Sequence, residues 1–149
     1  SYKVDFTYEQ VDEYMKAYRE LNPFQDAIDG LRRLAGKYDL VMLSNGEQWY
    51  LEHLAKNRIK INFHRILSAE SVGQFKPHPS VYRFAAQSLG LEPSQIMMVA
   101  SHSFDILGAR ASGFRGAYVN RYDQPYDESD YKPDIVTTNF YELCETLDV

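Results

Sequence analysis

The chain has 149 residues, of which 44% are apolar and 25% charged, a composition that supports one buried core of ordinary size and excludes disordered, collagen-like and fibrous chains. Its 21 acidic and 16 basic residues give a net charge of −5, with Lys and Arg scattered rather than striped, which argues against nucleic acid as the main partner. No apolar run approaches the roughly 18 residues of a membrane span, no apolar leader follows Ser1, and the single cysteine permits no internal disulfide, so a cytoplasmic, reducing location is expected.

The first periodic segment, 8–21, carries Val11, Tyr14, Met15, Tyr18 and Leu21 at helical spacing, and Thr7 with Gln10 matches the capping box. A second helix over 25–35 puts Ile28, Leu31 and Leu34 on one face, with Gly36 as the expected C-terminal cap. The apolar run 40–43 reads as a strand buried on both faces, closed by Ser44-Asn45-Gly46. The alternation then repeats: helix 48–57, strand 65–68, helix 80–89 with Val81, Phe84, Ala85, Ser88 and Leu89 inward, strand 96–99, helix 104–112, strand 116–119, strand 135–136 and helix 140–147 behind Asn139. Cys144 beside Leu143 and Leu147 reads as a packed thiol rather than a reactive one.

Five strands alternating with helices predict parallel βαβ units, an α/β doubly wound sheet with helices on both faces. Ligands of such folds sit beyond the carboxyl ends of the strands. Ser44-Asn45-Gly46 at one such end is either an ordinary turn or a set of donors for an anion. Lys76, in Gln74-Phe75-Lys76-Pro77-His78-Pro79, is either a solvated charge or a lysine stiffened by two prolines to meet a carboxylate. Asp105 reads as an N-terminal cap of its helix, and His102 as either a hydrogen-bonding spacer or a proton carrier. His53, His64 and His78 lack partners at metal-ligand spacing, and there is no Gly-rich phosphate loop, so no metal site is expected.

Taken in order, Leu43-Ser44-Asn45-Gly46, Phe75-Lys76-Pro77-His78-Pro79-Ser80-Val81-Tyr82, Val99-Ala100-Ser101-His102-Ser103-Phe104-Asp105-Ile106-Leu107-Gly108-Ala109, Gly113-Phe114 and Val119-Asn120-Arg121 resemble the haloacid dehalogenase superfamily, and within it the L-2-haloacid dehalogenases. The resemblance covers most of 22–147. It implies a Rossmann-like core over 22–149, with 1–21 as the last helix of a helical cap. It also implies roles: Ser44 and Asn45 for the substrate carboxylate and departing halide, with Gly46 beside them; Lys76 to neutralise a nucleophilic carboxylate, supported by Tyr82; and Asp105 for the hydrolytic step. Ser101, His102 and Phe104 would line the substrate, His102 where some members carry Asn and Phe104 where some carry Trp.

Two departures from the superfamily pattern matter. Its phosphatases read Gly-Asp-Ser-x-x-Asp where this chain has Ala100-Ser101-His102-Ser103-Phe104-Asp105, and loss of a hard anionic ligand disfavours Mg²⁺. No cofactor is therefore expected, Mg²⁺ entering only if the protein is a phosphatase. The superfamily's nucleophilic aspartate, in an Asp-x-x-x-Thr motif on a central first strand, is not found, nor is the halide-binding arginine of the cap. The chain is thus expected to begin after the nucleophile, as a fragment or with the strand supplied by another polypeptide, since five strands cannot close the gap without exposing two edges.

For the complete enzyme the resemblance implies displacement of halide from a short 2-haloalkanoic acid through an aspartyl ester, the chain alone being inactive. A Mg²⁺-dependent phosphatase of small phosphorylated metabolites and a non-catalytic binding or regulatory domain are the alternatives. The expected partners are a small 2-haloacid and halide, no nucleic acid and no membrane, with a homodimer or a companion N-terminal fragment left open. Lys76→Ala is expected to abolish turnover with little loss of fold. The aromatic, acidic loop around Tyr122, Tyr126 and Tyr131 is either a partner surface or an ordered surface loop.

Overall fold

A computed structural model describes residues 5–149. The leaderless start expected at residues 1–4, and that part of the 1–21 cap assignment, lie outside the described residues.

Helix α1 (Tyr8–Arg19) opens on the expected capping box: Thr7 Oγ1 accepts from Gln10 N and Gln10 Oε1 accepts from Thr7 N. It buries none of its side chains. Residues 20–24 then lead into α2 (Gln25–Leu34), which stops one residue before the expected end. Gly36 is no left-handed cap: its N–H bonds Arg33 O within a tight turn.

The strands are β1 (Val41–Ser44), β2 (Arg65–Ser68), β3 (Met97–Ala100), β4 (Arg115–Val119) and β5 (Ile135–Thr137). All pairings are parallel, with a helix between β1 and β2 and between β3 and β4 and the irregular loop 120–134 between β4 and β5, but they form two sheets rather than one: β1 with β2, and β3 with β4 and β5. Among the described residues no strand joins β1 to β3, so both present an open edge.

That split corrects the expectation that β1 is buried on both faces; all four of its residues are only half-buried, whereas four of the five in β4 are buried. A strand with one neighbour keeps one edge in solvent whatever its side chains are.

Period-two alternation sends the β3–β4 side chains to opposite faces. Met98 and Tyr118 pack with Leu67, Tyr82, Ala85, Ile106, Ala109 and Phe114 beneath α4 (Pro79–Leu89) and α5 (Ser103–Ala111). Val41 and Leu43 reach the same cluster, which therefore spans both half-sheets. On the other face Ala117 and Val119 pack with Leu34 of α2 and with Leu143 and Cys144 of α6 (Phe140–Thr146). The packed-thiol reading of Cys144 holds: it is fully buried, and burial raises its pKa. Gly30 makes the α2–α6 contact close, since a Cβ there would lie 2.6 Å from Phe140 Cβ.

Two local readings change. The helix expected over 48–57 is α3 (Gln48–His53) followed by a π-helical turn, Leu54–Ile59, ending on left-handed Lys60. The buried stripe of α4 is Val81, Tyr82, Ala85 and Ala86; Phe84, Ser88 and Leu89 are half-buried. Gly90 caps this helix in the left-handed conformation as its position suggests. No helix of the described residues is long and apolar enough to cross a membrane.

Candidate active site

Helix α5 begins beyond the carboxyl end of β3. Asp105 does not cap it; the N-cap residue is His102, whose side chain makes no capping bond. Asp105 turns inward from the first turn and meets Lys76, from the loop before α4, with Nζ to Oδ2 at 2.6 Å. The two side chains are 11% and 9% exposed. Lys76 Nζ also donates to Leu43 O of β1 at 2.9 Å, so the ammonium spans from β1 to α5 across the split between the half-sheets.

Tyr82, one turn into α4 and fully buried, donates to the other Asp105 oxygen, Oδ1, at 2.9 Å, and lies 3.2 Å from Asp105 O. Burial first, and then the neighbouring carboxylate, push its phenol far above the ordinary tyrosine range. It therefore stays a donor at any physiological pH. Gly108, one turn after Asp105, makes this approach fit: a Cβ there would fall 2.7 Å from the Tyr82 hydroxyl and 2.8 Å from Pro77 Cβ.

Removing two charges from water costs several kcal/mol per ion, recovered only when the geometry is close and the remaining lone pairs are bonded. Here both carboxylate oxygens and two of the three ammonium donors have partners. Burial also corrects the expectation that Lys76→Ala spares the fold: it would leave Asp105 as a buried charge with Tyr82 alone.

Asn45 sets the position of Lys76 through the backbone, accepting from Lys76 N at 2.7 Å and donating to Lys76 O at 3.3 Å. Ser44 Oγ accepts from Gly46 N at 3.2 Å. Sequence reasoning missed Ser68, fully buried at the end of β2, whose hydroxyl donates to Gly46 O at 2.6 Å and accepts from Glu70 N. Its place at a strand's carboxyl end was the available signal.

The structure thus brings together Lys76, Asp105, Tyr82, Asn45, Ser44 and Gly46. It does not bring His102 and Phe104 into that cluster; the two rings stack on each other at 5.6 Å, both exposed, at the mouth of the same end. Ser101 is half-buried beside them. In the loop after β4, Tyr126 is half-buried against the core, packing edge-on against Tyr118 at 5.4 Å and donating to Tyr131 O. Tyr122 and Tyr131 remain exposed, and Asp127 ties the loop to Ser103 at 2.7 Å.

A family model described as haloacid dehalogenase-like hydrolase matches residues 1–119. Among curated relatives, an (S)-2-haloacid dehalogenase of Pseudomonas putida is 34% identical over 133 residues, which are 88% of this chain and 59% of the relative. An (S)-2-haloacid dehalogenase 4A of Burkholderia cepacia is 34% identical over 76% of this chain and 50% of its own length. The L-2-haloacid dehalogenase of Xanthobacter autotrophicus superposes with a TM-score of 0.87 at 27% identity, covering 97% of this chain and 69% of that one. The chain belongs to the haloacid dehalogenase-like hydrolase family. It spans between half and three-fifths of the length of these curated relatives.

Proposed function

We propose that this chain is the larger part of a 2-haloacid dehalogenase whose nucleophilic aspartate stands on a strand seated between β1 and β3. The observation that carries the reading is the buried Lys76–Asp105 pair, which spans the two half-sheets at their carboxyl ends and leaves one ammonium proton without a partner among the described residues. Likeness to enzymes named (S)-2-haloacid dehalogenase supports it, as does the Xanthobacter autotrophicus enzyme with chloropropionic acid covalently bound.

In the first step a carboxylate oxygen of that aspartate attacks the carbon bearing the halogen. The C–O bond forms, the C–halogen bond breaks, and halide departs with the bonding pair, inverting the carbon and leaving an ester. In the second step water adds to the ester carbonyl, the acyl C–O bond breaks, and the 2-hydroxy acid leaves with release of a proton. Lys76 keeps the nucleophile ionised in a site closed to water. Asp105, held by Tyr82, orients Lys76 and polarises the water. Ser44, Asn45 and the Gly46 N–H line the substrate carboxylate and halide, with Ser101, His102 and Phe104 at the entrance. The reaction uses no metal, the enzyme works in the cytoplasm, and this chain without the nucleophile strand is inactive.

The test joins the chain to an N-terminal segment carrying an Asp-x-x-x-Thr motif and follows L-2-chloropropionate. Chloride release without added metal is expected. Release of phosphate from small phosphorylated metabolites only with Mg²⁺, and no chloride, would replace this reading with a phosphatase; neither activity would make the protein a binding domain.

A further inference from the structure

Helix α1 stands on the core by its root alone. None of its residues is buried, and Val11, Met15 and Tyr18 face solvent. Its ties to the core lie in its last turn, where Tyr50 OH donates to Tyr18 O at 2.8 Å and the Arg19 guanidinium sits 4.7 Å from the Trp49 ring.

The segment after it, 20–26, is gripped from two sides. From the π-helical turn, Arg58 donates through Nε to Leu21 O at 3.1 Å, and through Nη2 to Glu20 O at 2.8 Å and Asn22 Oδ1 at 2.5 Å. It also pairs with Glu20 at 3.8 Å, and its side chain is 26% exposed. One guanidinium thus holds three consecutive residues, which a planar fork of donors can do and a point charge cannot. An α-helical continuation of α3 would turn residue 58 to another azimuth; the π turn brings it to the segment.

From the loop after β4, Arg121 forms a two-pronged bond to Asp26, at 3.0 and 2.6 Å, while its guanidinium lies 4.1 Å over the Phe24 ring. These side chains are 16% and 13% exposed, and Asp26 also accepts from Phe140 N at 3.0 Å. Arg58 belongs to the β1–β2 half and Arg121 to the β3–β4–β5 half, so the segment crosses between the two half-sheets with an arginine at each end.

We propose that Arg58 and Arg121 are positioning residues that clamp segment 20–26 and thereby fix the angle at which α1 leaves its root on the first turn of α3, the helix that follows the carboxyl end of β1, an inference that rests on the dehalogenase reading only for its effect on turnover. Neither arginine touches the ion pair. Their action passes through the root of α1.

The test places spin labels at Glu13→Cys on α1 and Gln87→Cys on α4, positions that are exposed while native Cys144 is buried. One narrow distance distribution is expected for the parent. Arg58→Met should broaden it severalfold, and Arg58→Lys, which keeps the charge without the fork, should fall between. The paired change Asp26→Asn with Arg121→Met retains an acceptor for Phe140 N, strands no buried charge, and should broaden it as well. Amide exchange in β3 and β4 should stay within about twofold of the parent, exchange there reporting the core rather than the root. Distributions that superpose on the parent overturn the proposal, as does exchange that accelerates in β3 and β4 as much as at Glu20 and Leu21. Joined to the N-terminal segment, Arg58→Met should raise KM for L-2-chloropropionate with little change in kcat, and an equal loss in both overturns the positioning role. Failure of the dehalogenase reading shows separately, as a parent that releases no halide.

Discussion

The two half-sheets are built from similar residues and end in different environments. In β3–β4–β5 the central strand has a neighbour on each side and a helical layer on each face, and its residues from Gly116 to Val119 are all buried. In β1–β2 the apolar run Val41-Met42-Leu43 is as hydrophobic, yet every residue of β1 keeps some exposure. Hydrophobic sequence therefore specifies which residues can be buried; neighbours on both edges and both faces bury β4 almost throughout, whereas in β1–β2, where each strand has one neighbour, burial reaches only Leu67 and Ser68 of β2. The Lys76 ammonium, bonded to Leu43 O of one half and Asp105 of the other, and the segment 20–26, held by an arginine from each half, are the polar ties across this difference.

The contrast can be broken most strongly in the three-stranded half. Phe114, fully buried against Tyr82 at 5.9 Å, should cost about 4 kcal/mol on change to Ala, against roughly 1 kcal/mol for Val41→Ala on the open strand; urea denaturation of both variants measures the difference. Lys76→Ala, which strands a buried carboxylate shared by both halves, should cost about 3 kcal/mol. Adding Asp105→Asn to it should recover part of that loss, because the stranded charge is then gone.

Next comes Asp26. Its hydrogen bonds from Arg121, and then the one from Phe140 N, hold its carboxyl below the usual carboxylate range against the opposing effect of burial. The folded carboxyl takes up its proton at lower pH than the unfolded one does, so the unfolded state binds more protons in that window and stability rises with pH through it. The contribution is complete above the unfolded value, about 4, and fades as pH falls through the folded one. Asp26→Asn should lower stability at neutral pH by about 2 kcal/mol and flatten the acid limb of a stability-against-pH curve. The smallest effect belongs to α1, where Thr7→Ala removes one side of the capping box for about 1 kcal/mol of helix stability. Circular dichroism should register a loss of helix with no shift in the urea midpoint of the core, since α1 contributes nothing buried to it.

The order of helices and strands was legible except at 54–59, because continuous apolar runs such as Ile96-Met97-Met98-Val99 and capping signals such as Thr7 with Gln10 are local in the chain. Lys76, Tyr82 and Asp105 were legible as a set only through motif order; on its own Asp105 read as a cap, and its burial against a lysine 29 residues away leaves no periodic trace. The open edge of β1 was invisible for a related reason, since Val41 and Leu43 carry no mark of whether a neighbour pairs with them. The π-helical turn went unread because Leu54 to Ile59 have no residue a regular helix would refuse. Arg121 stands in the matching stretch Val119-Asn120-Arg121, but nothing local links it to Asp26, 95 residues away, and only the fold joins the two.

The seam between α2 and α6 carries a consequence for how the molecule assembles. Gly30 accepts Phe140 at a separation no side chain would permit, and Asp26 bonds the amide of Phe140, 114 residues further on. A contact between segments so distant must wait for the loop between them to be ordered, and such closures slow folding. During synthesis α2 emerges well before β4 and α6, so the apolar face that Leu34 presents stays bare until both have followed.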